Sequence, residues 1–116
     1  MSRTVLITGA ARGIGRAIAL ELAEQGYDIV INYLTSENEA LELKSRIEKD
    51  YGVRCMALKA DVSDAEQVDE MAREIEATLG KVDVLINNAQ ASASGVTLEK
   101  HTTERVMVIT RKEAAQ

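Results

Sequence analysis

Proline, tryptophan and phenylalanine are absent from the 116 residues, tyrosine occurs three times, and cysteine and histidine once each. Without Phe or Trp, the core must come from Ile, Leu, Val, Ala and Met. The lone Cys55 has no partner for an internal disulfide, and one Cys with one His cannot build a zinc site from those ligands. Long hydrophobic runs are missing too, so no membrane span is expected, and the opening residues lack the apolar stretch and cleavage site of a signal peptide. The expected location is cytoplasmic. Basic charge is in the minority, 14 Lys and Arg against 19 Asp and Glu for a formal charge of -5, which argues against a nucleic-acid binder held by clustered cations. Any anion site must therefore be local. No internal repeat, low-complexity tract or Pro- or Gly-rich linker divides the chain. A single domain of this size can bury roughly two-thirds of its unfolded surface, enough for a real core.

What is present alternates in period. The apolar run at 4–8 stops at Gly9, as a buried strand should, and residues 14–25 then read as a helix with Ile14, Ile18 and Leu22 on one face and Gly26 at its end. Ile29, Val30 and Ile31 make a second strand. Ser36 and Glu39 have the capping-box spacing, opening a helix whose stripe is Ala40, Leu43, Ile47 and Tyr51 and whose stop is Gly52. A third strand lies at 55–58, and Ser63 to Glu66 repeats the box before a stripe of Val68, Met71, Ala72, Ile75 and Leu79, closed by Gly80. Residues 82–86 are the fourth strand. Strands alternating with helices of this length predict parallel pairing through right-handed crossovers, in a doubly wound α/β sheet covered on both faces. Residues 1–90 form that unit, and 91–116 are a tail in which the pattern degrades. Within it, Val106, Met107, Val108 and Ile109 suit a strand by β-branching and a helix by their charged and Ala-containing flanks, and both readings stand. Cys55, Met56 and Met71 read as core residues, and His101 as a solvated one with no Asp, Ser or Cys beside it.

The first strand joins the first helix through Thr8-Gly9-Ala10-Ala11-Arg12-Gly13-Ile14-Gly15. Glycines permit positive φ and close backbone approach, and the helix start offers unpaired N–H groups and a partial positive charge, together a phosphate cradle. Three glycines can also make nothing more than a tight turn, but this one occupies the first βα turn, where a dinucleotide's pyrophosphate sits in a doubly wound sheet. The spacing of the glycines, Asp61-Val62 after the third strand and Asn87-Asn88-Ala89 after the fourth together resemble the short-chain dehydrogenase/reductase family over about residues 3–90. Within it, the glycine turn and residues 26–33 look most like the 3-oxoacyl-(acyl carrier protein) reductases and near relatives. The resemblance implies a Rossmann-like sheet of strand order 3-2-1-4, which this chain reads as carrying only through the fourth strand, with the tail left open. It implies that Gly9, Gly13, Ile14 and Gly15 shape the phosphate turn, that Asp61 and Val62 lie beside the adenine, that Asn88 and Ala89 flank a ribose, and that Asn87 braces the sheet. Read singly, Asp61 could instead be a strand-end turn residue and the Asn pair a polar cap, readings that weaken when the motifs are taken together.

Cofactor choice follows from charge. NAD sites place an acidic residue at the end of the second strand, about 20 residues past the glycines, to hold the ribose 2′-OH. Here that position is Tyr33, while Arg12 sits inside the turn, where related NADP-dependent reductases carry a basic residue, and Asn32, Thr35 and Ser36 offer polar contacts. NADP(H) is expected over NAD(H). The family's chemistry uses a Tyr-x-x-x-Lys pair, a Ser and a further Asn; the residues four past Tyr27, Tyr33 and Tyr51 are Ile31, Glu37 and Cys55, so no catalytic residue is assigned. Gln90 stands where the family has Gly, placing a side chain near the expected nicotinamide ribose. The chain thus reads as the NADP(H)-binding first half of a carbonyl reductase, inactive by itself. Its rival is a noncatalytic nucleotide-binding module, or a truncated fragment acting through a partner chain. An unpaired fourth strand would leave an edge inviting self-association, so a homo-oligomer, a dimer or larger, is expected unless residues 106–109 cover that edge by folding back.

Overall fold

Uninterrupted β-branched apolar runs suit strands buried on both faces. The computed structural model, which describes residues 3–88 and the backbone of 107–110, places these runs in a central sheet. The elements are β1 (Thr4–Ile7), α1 (Gly13–Glu24), β2 (Asp28–Tyr33), α2 (Glu37–Tyr51), β3 (Cys55–Lys59), α3 (Ala65–Thr78), β4 (Val84–Asn87) and β5 (Met107–Thr110). The sheet order is β3-β2-β1-β4-β5. The first four strands are parallel, with Val5 opposite both Ile29 and Val84.

Successive strand residues point to opposite faces, and the core divides accordingly. Val5, Ile7, Ile29 and Ile31 turn to the face covered by Ala19 and Ala23 of α1 and Leu43 and Ile47 of α2. Leu6 and Val30 turn to the other, where Met71 and Ile75 of α3 lie. Each fully buried Ile contributes about 1.5–3 kcal/mol by leaving water, a large share of a small domain's net stability. Backbone bonds carry the ladders past the strand ends: Thr8 N–H donates to Ile86 O at 3.0 Å, Ala10 N–H to Asn32 O at 3.0 Å and Ala60 N–H to Tyr33 O at 3.0 Å. The loops after β1, β2, β3 and β4 consequently leave the sheet along one edge.

Two expectations need correction. The buried stripe of α1 is Gly15, Ala19 and Ala23, one residue on from the expected Ile14, Ile18 and Leu22. Ile14 is 45% exposed, and Ile18 and Leu22 pack only at the flank. Small residues win the sheet-facing positions because they let the helix backbone come close. The capping boxes do not form as spaced: Ser36 caps α2 without a side-chain bond, and α3 is capped by Asp64, which accepts from Glu66 N–H at 3.0 Å and Gln67 N–H at 3.4 Å. Ser63 instead bonds Asp61. The first four strands stand in the expected order 3-2-1-4, and of the two readings left open for the tail the strand holds, beside β4. β5 pairs antiparallel to it, Leu85 opposite Ile109 and Ile86 opposite Val108, so the fourth strand is not an edge. Residues 89–106 and 111–116, including Ala89, Gln90 and His101, lie outside the described residues.

Candidate functional site

A strand that ends in Gly-rich sequence and re-enters as a helix must turn within a few residues, and positive φ is the means: Gly9 and Gly13 both have φ +62. Gly15 has a different task. A Cβ there would stand 2.5 Å from Asn88 Nδ2 and 2.6 Å from Gly9 O, so only hydrogen fits where α1 meets the end of β4. The Gly9 backbone is held through both its N–H and its carbonyl. Its N–H donates to Asn32 Oδ1 at 3.3 Å, and its carbonyl accepts from Asn88 Nδ2 at 3.2 Å. Thr8 Oγ1 accepts from Asn88 N–H at 2.8 Å and donates to Asn87 Oδ1 at 3.0 Å, which ties β4 to the root of the turn.

Above the turn, at the carboxyl ends of the strands, lies an open cavity of about 250 Å³. Of the sequence-predicted residues, Gly9, Arg12, Gly13, Ile14, Tyr33 and Asn88 line it, with Thr35 and Ser36. Gly15 stands behind the turn against Asn88. Asn32 is placed differently from the expected polar contact: it is 2% exposed, beneath the turn, with its amide bonded to protein atoms. Asp61 and Val62 stand apart from this lining, in the loop after β3, with Val62 38% exposed. Ala89 and Gln90 are outside the described residues. Sequence reasoning missed Leu34, 49% exposed on the cavity wall; a large apolar residue directly after a strand, ahead of polar Thr35 and Ser36, was the available signal.

The electrostatics favour an anion on one side of the cavity. α1 starts at Arg12 with no side-chain cap and no acidic residue in its first turn, so its leading N–H groups and partial positive charge face the opening uncompensated. Arg12 is exposed and makes no ion pair among the described residues. Ser36 leaves its hydroxyl unused as a cap for α2, although Glu37 and Glu39 in that first turn supply opposing charge. Tyr33 Oη donates to Glu37 Oε1 at 3.4 Å, and burial first, then the Glu37 carboxylate, push the phenol pKa up. Asp61 Oδ1 accepts from Ser63 Oγ at 2.6 Å and Ser63 N–H at 2.9 Å, bonds that hold its carboxyl below the usual range. The buried Oδ1 of Asn88 has no partner among the described residues. Among those residues no cluster of three His, Cys, Asp or Glu could hold a metal, and no helix is long and apolar enough to cross a membrane.

The family described as short chain dehydrogenase matches residues 3–111. Over 89 residues the chain is 46% identical to a 3-oxoacyl-(acyl-carrier-protein) reductase of Staphylococcus epidermidis, covering 77% of this chain and 36% of that protein. The chain thus spans little more than a third of that relative's length. Among solved structures, a blue fluorescent protein from a metagenomic library in complex with NADPH superposes with TM-score 0.74 at 38% identity, covering 84% of this chain and 42% of that one. The L-sorbose reductase of Gluconobacter frateurii, complexed with NADPH and L-sorbose, gives TM-score 0.74 at 29% identity over 85% of this chain and 39% of its own.

Proposed function

We propose, since this chain belongs to the short-chain dehydrogenase family, that its cavity holds NADP(H) in preference to NAD(H) and that the chain is the dinucleotide-binding part of a carbonyl reductase. One observation carries this reading: the uncapped start of α1, Arg12 without an ion pair among the described residues and a Ser36 hydroxyl that caps no helix meet at a single opening. The residues fit such a ligand. The turn has no room for a Cβ at Gly15, and the buried Asn88 Oδ1 at the cavity, without a donor among the described residues, suits a ribose hydroxyl.

In this reading, N–H groups at the start of α1 bind the pyrophosphate, with Gly9, Gly13 and Gly15 keeping the backbone close. Arg12, Thr35 and Ser36 take the 2′-phosphate, where Tyr33 supplies an uncharged wall in place of a carboxylate. Val62, with Asp61 ionised and fixed by Ser63, supports the adenine, and Asn88 and Ala89 hold a ribose, with Gln90 toward the nicotinamide. When bound, the cofactor supplies a hydride to a carbonyl carbon. No Tyr-x-x-x-Lys occurs in the 116 residues, so this stretch brings no such proton donor of its own. Calorimetric titration with NADPH and NADH tests the cofactor reading, and equal or tighter NADH binding would reject it. Purified chain with NADPH should show no reduction of a ketone panel above buffer; turnover altered by its own point variants would overturn the expected inactivity. The second reading is a noncatalytic nucleotide-binding module, for which tight NADPH binding without turnover is the signature.

A further inference from the structure

Asn32 is an asparagine at the end of a fully buried strand, 2% exposed, in a position where an apolar side chain would cost no desolvation. A buried amide needs partners for two donors and an acceptor. Here every one is met, by partners in the turn after β1, at the end of β3 and on α3. Oδ1 accepts from Gly9 N–H in the phosphate turn at 3.3 Å. Nδ2 donates to Ala60 O at 3.1 Å and Leu58 O at 3.5 Å at the end of β3, and lies 3.7 Å from Met71 Sδ on α3. Its own backbone carbonyl accepts from Ala10 N–H at 3.0 Å. One side chain therefore joins the turn after β1 to the segment that leads directly into Asp61 and Val62. No backbone ladder does this, because β1 and β3 are separated by β2.

We infer that Asn32 is a positioning residue that fixes the phosphate turn and the adenine-side loop in one mutual geometry, through Gly9 N–H on one side and the Ala60 carbonyl on the other. A ligand spanning both loops then meets them already spaced, and the ordering cost of binding falls. The ligand-binding half of this inference rests on the NADP(H) reading above; the bracket itself does not.

Two variants of the full chain separate its arms. Asn32→Leu keeps much of the bulk and removes every side-chain bond; Asn32→Asp keeps the acceptor for Gly9 and removes the donors to β3. Amide exchange in the folded state should accelerate at Gly9 in Asn32→Leu and stay slow there in Asn32→Asp, while Ile29 and Val30 keep their protection in both. Calorimetry should show NADPH and ADP weakened about tenfold in Asn32→Leu, the loss of roughly one net hydrogen-bond contribution, with adenosine weakened far less because it does not reach the turn. Unchanged Gly9 exchange in Asn32→Leu, or equal weakening of all three ligands, would overturn the inference. Failure of the unmodified chain to bind NADPH would sink the functional reading alone, and Gly9 exchange would still decide the bracket.

Discussion

Arg12 is the single guanidinium on the described lining of the cavity, and no described carboxylate pairs with it, so its charge is directed at whatever enters. Arg12→Ala should weaken NADPH by ten- to a hundredfold, about 1.5–3 kcal/mol for a charge-assisted contact, and leave NADH nearly unchanged. Titration of both cofactors against the variant measures the difference directly. Cys55 shows the opposite condition. Burial first, then Glu48, push its thiol up to about 12, so it stays neutral in the folded chain where an unfolded chain would ionise it. Because the folded pKa is the higher one, the stabilisation is full below the ordinary thiol range and is lost as pH rises from that range toward 12. Cys55→Ala should flatten this part of the alkaline stability profile, measured by urea unfolding at a series of pH values. A native thiol that reacts with a disulfide reagent at pH 8 as fast as the unfolded one would contradict the burial argument.

The helices start in two different ways, and the difference is measurable. Asp64 bonds two N–H groups of α3, whereas Ser36 bonds none of α2. Asp64→Ala should therefore cost about 1 kcal/mol and Ser36→Ala within about 0.5 kcal/mol, by chemical denaturation. β1 and β2 were legible in the sequence because double burial leaves β-branched runs with no competing reading, and β3 and β4, partly buried, were legible from short apolar runs set between helical stretches. The face of α1 was not, because hydrophobic patterning weighs large side chains while the sheet selects the smallest, Gly15, Ala19 and Ala23. Cap frames slipped where two neighbouring residues, Ser63 and Asp64, could each cap. The turn residues were legible because their chemistry belongs to the backbone. Asn32 misled because a polar residue at a strand end looks the same in sequence whether it faces solvent or braces two loops. The segment at 107–110 could not be decided from four residues, since its antiparallel partner, β4, lies some twenty positions earlier.

At the scale of the whole molecule, β5 converts the side of β4 that would have been open into a paired one. Amides within 84–87 should exchange slowly, and removal of residues 106–116 should speed that exchange and produce concentration-dependent association, read by light scattering after size exclusion. Equal mass and exchange with and without the segment would show that β5 does not guard this edge. We propose self-association only for the shortened chain. The strand order also has a consequence in time. β1 is synthesised first yet lies between β2 and β4, and its bonds to the latter join positions as far apart as Thr8 and Asn88, 80 residues. While the ribosome is still producing α2, β3 and α3, the central strand can pair on one side only. Folding as the chain emerges must then hold a half-formed sheet with an apolar edge exposed, and completion waits on a late, long-range closure.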